Sequence, residues 1–442
     1  MLSLIIALYF SQYIFPAEEY KQQVKISATY KFLTSDVTQR APGGWGSDKA
    51  TECLSLGMGL NSSGSLGGLL LNYHPNQIKT YNPCSGLIGW SNDDSSSYQF
   101  QTYARYWHGH SEVIRWLVYL FGIPISRSIL ALTIGIALII LWKRTKLTLS
   151  DSIKNPSLTT TLLLGSYAFL VGLIDLPLSM THLLSETFVI VIAILSLSIL
   201  QTTNRFKIAF SGYLLGGIYV VICYMINPQS IPPAILIWSV IPIVLSKTKK
   251  ISEVLKNYCI LISSIVIGFI GLWITKWVLI SLLTDYDIWE EVRNQALHRA
   301  SHNPDSLSPG VAQHLDTFSS LPAFAQAILA NCGALVSKVF DPRFSNPILG
   351  YILLMFLLVI CVKFLWDRRR IHISKTSKSQ NGQFKEVTLL WLMSLAGVLI
   401  WYAFLTQHSF DHATYTFRSL AIVVSGFIWV ISAQNREMTR VK

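Results

Sequence analysis

Two carboxylates four residues apart, Asp48 and Glu52 in GSDKATE, are the first side chains of this sequence suited to general-base work. That spacing puts both on one face of a helix. Asp48 also fits a helix N-cap, so a base and a cap are both open readings. Asp36, Asp93 and Asp94 are weaker candidates, because clusters such as SNDDSSS (91–97) commonly make turns. Four cations, Arg105, Lys276, Arg299 and Arg418, stand near the ends of apolar runs. Arginine offers a planar fork that matches phosphate oxygens and lysine a point charge; each could equally hold a lipid headgroup. Tyr106, Trp107, His108, Trp277, His408 and His412 add ring faces and hydrogen-bonding groups. A base for a hydroxyl, cations for a leaving phosphate and rings for a sugar face are the parts that glycosyl transfer from a lipid phosphate needs. Two histidines and Asp411 in HSFDHATYTFR also suggest a metal site. A metal would need a helical His spacing plus a third partner, so hydrogen bonding is the preferred role.

The elements that must position these groups are membrane helices. The 442 residues are 51% hydrophobic and 13% charged, where a soluble domain carries about 25% charged residues. A helix needs roughly 20 residues to cross about 30 Å of hydrocarbon. Apolar runs predict ten crossings, near 2–15, 126–142, 158–175, 186–200, 208–226, 234–246, 257–275, 348–366, 388–406 and 416–432. Leu2–Ala17 lacks a basic n-region and a small-residue cleavage site, so it reads as the first of them rather than a signal peptide.

The net charge of +12 sits in the inner loops of that topology: Lys143, Arg144 and Lys146, then Lys247, Lys249 and Lys250, then Arg368, Arg369 and Arg370. This is the positive-inside bias, which sets orientation and contacts anionic lipid heads, and it excludes a nucleic-acid footprint. Of the ten histidines all but His372 fall on the outer side. An extracytoplasmic active site needs such groups there, although histidines also simply avoid hydrocarbon. Cys53 and Cys84 share the first outer segment, and pairing and free thiols are both open. Cys223, Cys259 and Cys361 lie in apolar runs as packing residues, and no CxxC or zinc spacing exists.

The chain reads as one all-α, polytopic transmembrane unit over 1–442, with outer segments at 16–125 and 276–347. From Ser97 to Phe121, aromatics and aliphatics predict an amphipathic interfacial helix, ended by Pro124. Asp285–Ser301 predicts a second, stopped by the Asn-Pro of HRASHNPD, and Ser319–Phe340 a third apolar segment packing on the bundle or the membrane.

The plan of an acidic first outer loop, interfacial helices and a multi-helix bundle resembles the GT-C glycosyltransferases. The segments YARYWHGH (103–110), GLWITKW (271–277), HRAS (298–301) and WYAFLTQHSFDHATYTFR (401–418) are similar to a family of bacterial membrane proteins of that superfamily. The resemblance implies a bundle of about ten transmembrane helices with two interfacial helices. It also implies inverting transfer of a monosaccharide from a polyprenyl-phosphate carrier to a cell-surface glycan or protein. Asp48, with Glu52, falls on the family's DN-x-TD-like stretch and would be the catalytic base. Here Lys49 replaces the Asn and Glu52 the second Asp, and MINPQS (225–230) lacks an Asp that the family often has. Arg105, Lys276, Arg299 and Arg418 would hold the donor phosphate, and Tyr106, Trp107, His108, Trp277, His408 and His412 the sugar and lipid. The bacterial arabinofuranosyltransferases of pili and cell walls are similar in build, which makes arabinofuranose one candidate sugar beside mannose and others. A divalent metal stays open. The implied setting is the bacterial inner membrane with a periplasmic site, and the implied partners are the lipid donor, the acceptor and membrane lipids, with no nucleic acid. An O-antigen ligase-like enzyme and a lipid-linked sugar flippase are the rival readings.

Overall fold

A computed structural model of the chain describes residues 17–35, 49–60, 66–78, 82–150, 152–153, 155–171, 179–223, 228–300, 321–340, 381–411 and 413–441. In chain order the elements begin with α1 (Ala17–Thr29), α2 (Lys49–Gly57), α3 (Leu66–Leu71), β1 (His74–Gln77), α4 (Pro83–Ser91) and β2 (Tyr98–Gln101). Then come α5 (Gly109–Leu149), α6 (Pro156–Leu170), α7 (Met180–Ile199), α8 (Arg205–Ile222), α9 (Pro228–Ser246) and α10 (Ile251–Leu283). The last are α11 (Ile288–Ala300), α12 (Ala323–Phe340), α13 (Asn381–Phe404), α14 (Thr406–Asp411) and α15 (Ala413–Val441).

Among the described residues, seven helices are long and apolar enough to cross a membrane: α5, α7, α8, α9, α10, α13 and α15. The protein is therefore a mostly helical, multi-pass membrane protein. The predicted crossing at 158–175 corresponds to α6, whose 15 residues are fewer than a span needs. Those at 2–15 and 348–366 lie outside the described residues, as does Cys361.

α8 and α10 pack with their backbones nearly touching. A Cβ on Gly216 would meet the Ile265 carbonyl oxygen at 2.0 Å, one on Gly268 the Tyr213 oxygen at 2.2 Å, and one on Gly212 the Leu261 oxygen at 2.7 Å. Gly212 and Gly216 form a GxxxG pair, the spacing that lets membrane helices approach when lipid gives no hydrophobic push. The opposite face of α10 is left free to line an interior space. α9, enclosed by the other helices, opens with a 3₁₀ turn at Pro228–Ser230 and carries a π turn at Leu236–Val240.

The segment before α5 differs from its prediction. Residues 98–101 form not a helix but β2, paired antiparallel with β1 in the register His74↔Gln101. The alternation Tyr-Gln-Phe-Gln is a strand period, and His108, at φ 55°, sits in the left-handed region and blocks a helix before Gly109. α5 then runs to Leu149 with a break at Gly122 (φ 72°, ψ 169°), two residues before Pro124. Only glycine takes that conformation without strain. Cys53 of α2 and Cys84 of α4 form a disulfide, which ties the two short helices together. Asn82 caps α4 by accepting from the Ser85 amide at 3.0 Å. The predicted helices at 285–301 and 319–340 are α11 and α12.

Candidate functional site

A cavity of about 640 Å³ opens along the free face of α10, within the range of ligand pockets. Tyr258, Ile262, Ile265, Phe269, Trp273 and Trp277 line it from that helix. They recur every three or four residues, one face of a helix, and from Tyr258 to Trp277 the stripe is about 28 Å long at 1.5 Å per residue. That is close to the thickness of the hydrocarbon layer, about 30 Å. Met393, Ser394, Gly397 and Trp401 of α13 form the facing wall, continued by Leu405 and His408. The start of α9, Pro228 to Leu236, makes a third wall, and α11 closes one end with Val292, Gln295, Ala296 and Arg299. The lining is mostly apolar, and its charged groups gather at that end.

The closed end is built on the segment between β2 and α5. The indoles of Trp273 and Trp277 both donate to the Arg105 carbonyl, at 2.6 and 3.1 Å. The Lys276 ammonium donates to the next carbonyl, that of Tyr106, which also accepts from Asn72 at 3.3 Å. Trp107 returns a hydrogen bond to the Leu272 carbonyl at 2.7 Å. Consecutive backbone oxygens are thus clamped to one turn of α10, and the side chains of Arg105 and Tyr106 are left facing the cavity.

Arg105 pairs with Glu291 of α11 at 2.7 Å, and its guanidinium lies 4.5 Å from the centre of the Tyr103 ring. Burial works against its charge, but Tyr103, Tyr106 and Glu291 more than offset that, and its pKa is raised. Arg299 donates to the Tyr106 hydroxyl at 2.5 Å, and Tyr106 stacks on Trp273 at 5.8 Å. Burial pushes the Tyr106 phenol above its ordinary value, with Arg299 pulling the other way. Two guanidiniums, one carboxylate and the His408 imidazole thus converge where the apolar trough ends. An amphiphile with an anionic head matches this distribution: the chain along the trough, the charge at the arginines.

The sequence candidates separate into groups. Arg105, Tyr106, Trp277, Arg299 and His408 line the one cavity. Lys276, Trp107 and His108 stand behind it. Lys276 is fully buried, and Trp107 and His108 nearly so. The His108 ring meets the Tyr103 carbonyl at 2.9 Å, and burial, then Lys276 and His110, holds its pKa well below the ordinary value. Arg418 does not line the cavity. It meets His182 Nδ1 at 2.7 Å and Glu186 at 3.7 Å, while Tyr167 donates to the same carboxylate at 2.7 Å. Glu52 is fully buried, accepts from Arg127 at 3.1 and 2.5 Å, and accepts from the Met180 amide at 3.1 Å. Those bonds fix α2 to α5, just past its break at Gly122, and to the start of α7. Asp48, Asp36 and His412 lie outside the described residues. Asp93 accepts from Lys21, and Asp94 accepts from Ser96 within a turn.

Sequence reasoning passed over two residues that line the cavity, Trp273 and Gln229, and one that pairs with its Arg105, Glu291. Glu291 was one of several acids at the start of α11, Trp273 one of many tryptophans, and Gln229 the middle of a proline-rich turn. The signal for Gln229 was an amide between Pro228 and the Pro232-Pro233 pair in an apolar run. Among the described residues, no three His, Cys, Asp or Glu side chains gather to hold a metal ion. Compared with family models, curated proteins and solved structures, the chain matches none.

Proposed function

We propose that the chain is a membrane glycosyltransferase of the GT-C kind. It takes a monosaccharide, with arabinofuranose one candidate, from a polyprenyl-phosphate carrier on the extracytoplasmic face of a bacterial inner membrane. The observation that carries this reading is one cavity in which an apolar trough as long as the bilayer core is thick ends at Arg105 and Arg299. The Cys53–Cys84 disulfide supports the sidedness, since such bonds persist in oxidising compartments. α11, carrying Arg299 over the end of the trough, serves as an interfacial helix.

In the proposed reaction the acceptor hydroxyl oxygen bonds to the anomeric carbon from the face opposite the leaving group. The bond from that carbon to the phosphate oxygen breaks, the polyprenyl phosphate departs with the electron pair, and the hydroxyl proton passes to Asp48. Arg105 and Arg299 stabilise the charge that grows on the leaving phosphate. Lys276 acts by holding the Tyr106 carbonyl, and Glu52 by anchoring α2, the helix that follows Asp48.

The test is binding of a short-chain prenyl phosphate and of the matching prenol to the purified chain in detergent. The phosphate should bind at least roughly tenfold more tightly, and Arg299→Gln should remove most of that difference. Equal affinity for alcohol and phosphate would refute an anionic headgroup at this end. A flippase is the second reading, favoured by the buried Arg418–Glu186–His182 cluster, because ionisable groups within membrane bundles often mark transport paths. Movement of a lipid-linked sugar across vesicles holding the pure protein, without transfer to an acceptor, would decide for it.

A further inference from the structure

The trough is walled on most sides and open along one. Ile231, Leu236 and Ile265 line it and are buried, whereas Val266 and Ile270 of α10 and Met393 of α13 line it while 45%, 44% and 41% exposed. Gly397, one turn beyond Met393, lines it too, and a Cβ added there would meet nothing within 4 Å. Val266 with Ile270, and Met393 with Gly397, thus form two rims, each one helical turn long. Among the described residues, α10 and α13 scarcely touch. Counting inward from Trp277, Ile270 and Val266 lie about 10 and 16 Å along the helix at 1.5 Å per residue. They fall in the middle of α10, where an exposed apolar surface meets acyl chains rather than water.

Length gives the gap a use. Each isoprene unit adds four carbon–carbon bonds of about 1.5 Å, or about 5 Å of extended chain. A trough of about 28 Å therefore takes about five units, and a carrier of ten units, about 50 Å long, overruns it.

We propose that the gap between α10 and α13 is a side window through which a carrier tail longer than the trough passes into the bilayer. The proposal rests on the lipid-phosphate reading above and adds to it the class of carrier, a long polyprenyl chain. Its head stays at the arginines, and about two or three units lie against Trp273 and Phe269 before the tail reaches the rims. Beyond them the chain exchanges one apolar surrounding for another, so further length carries little penalty.

The experiment measures binding of prenyl phosphates of two and ten units to the full chain in bilayer nanodiscs. Wild type should bind the ten-unit lipid at least as tightly as the two-unit one, whose tail ends before the window. Gly397→Trp and Val266→Trp fill the rims from opposite sides. Each should weaken ten-unit binding about tenfold or more and leave two-unit binding within about twofold. Ile262→Trp fills the trough about 22 Å inward of Trp277, past the window, and should leave both lengths unchanged. Wild type that binds two units and rejects ten would mean a blind trough and would overturn the window while the lipid-phosphate reading stands. Rim variants that keep ten-unit binding, or weaken both lengths alike, would also overturn it, the second result meaning that another part of the chain fills the gap. Ten-unit binding lost only in Ile262→Trp would move the exit to the Tyr258 end and overturn it likewise. Wild type that binds neither lipid would overturn the lipid-phosphate reading and the window with it.

Discussion

The buried Lys276 ammonium donates to the carbonyl of Tyr106, 170 residues away in the chain. Beside it, two indoles of the same helix hold the Arg105 carbonyl. Three donors from one helical turn therefore fix the two residues that face the cationic end of the cavity. Lys276→Met keeps the length of the side chain and removes the donor. Unfolding should become easier by about 1–3 kcal/mol, and prenyl-phosphate affinity should fall in parallel although Lys276 does not line the cavity. An affinity unchanged beside a clear loss of stability would separate the clamp from the site.

Asp48 and Glu52 should part company on mutation. Glu52→Gln weakens a bidentate pair and leaves the largely buried Arg127 guanidinium without a charged partner, at a cost of about 3–5 kcal/mol. Low yield and a lowered unfolding temperature should follow. Asp48→Asn should express and melt as wild type does while abolishing sugar transfer in vitro and in cells. Normal glycan in cells carrying only Asp48→Asn would remove that residue from the reaction.

Reduction offers a check on the segment before α5. The Cys53–Cys84 bond spans 31 residues, a loop whose closure stabilises by about 2–4 kcal/mol. The Cys53→Ser/Cys84→Ser double variant should melt lower by an amount that matches the untreated minus reduced difference in wild type. Identical melting of reduced and oxidised wild type would mean the bond is dispensable.

The same segment should be acid-sensitive through His74. Burial, only partly offset by the ring's contact with the Pro75 carbonyl, lowers its pKa to about 4 from 6.5. The unfolded chain then binds the proton more readily than the folded one. Stability is present above about pH 6.5 and is lost as pH falls toward 4, by about 3 kcal/mol at most. His74→Gln should flatten the melting curve against pH across that window; an unaltered pH slope would assign it to other groups.

The periodic features were legible in sequence and the convergent ones were not. Apolar runs located all seven long helices because burial in lipid is a local property of a segment. Arg105, Tyr106, Trp277, Arg299 and His408 were each found as chemistry-bearing types near an outer boundary, and they do share a cavity. Arg418 satisfied the same criterion, yet it points to His182 and Glu186, because depth along the membrane normal does not fix the direction around a helix. The helix expected from Ser97 failed where a four-residue strand alternation was hidden inside a longer aromatic stretch. Glu52 resembled a base by spacing, but spacing carries no information about Arg127, which approaches from 75 residues away.

The glycine contact between α8 and α10 has a mechanical consequence. Where main chains touch, no side chain remains to rotate or yield, and the two helices behave as one thick wall. Widening the trough on that side means displacing both together. On the α11 side the attachments include the salt link from Arg105 to Glu291 and the hydrogen bond from Arg299 to Tyr106. Under the proposed function, a long lipid would enter past such polar ties more cheaply than by prising the bundle apart, and its anionic head would compete for the very guanidiniums that make them.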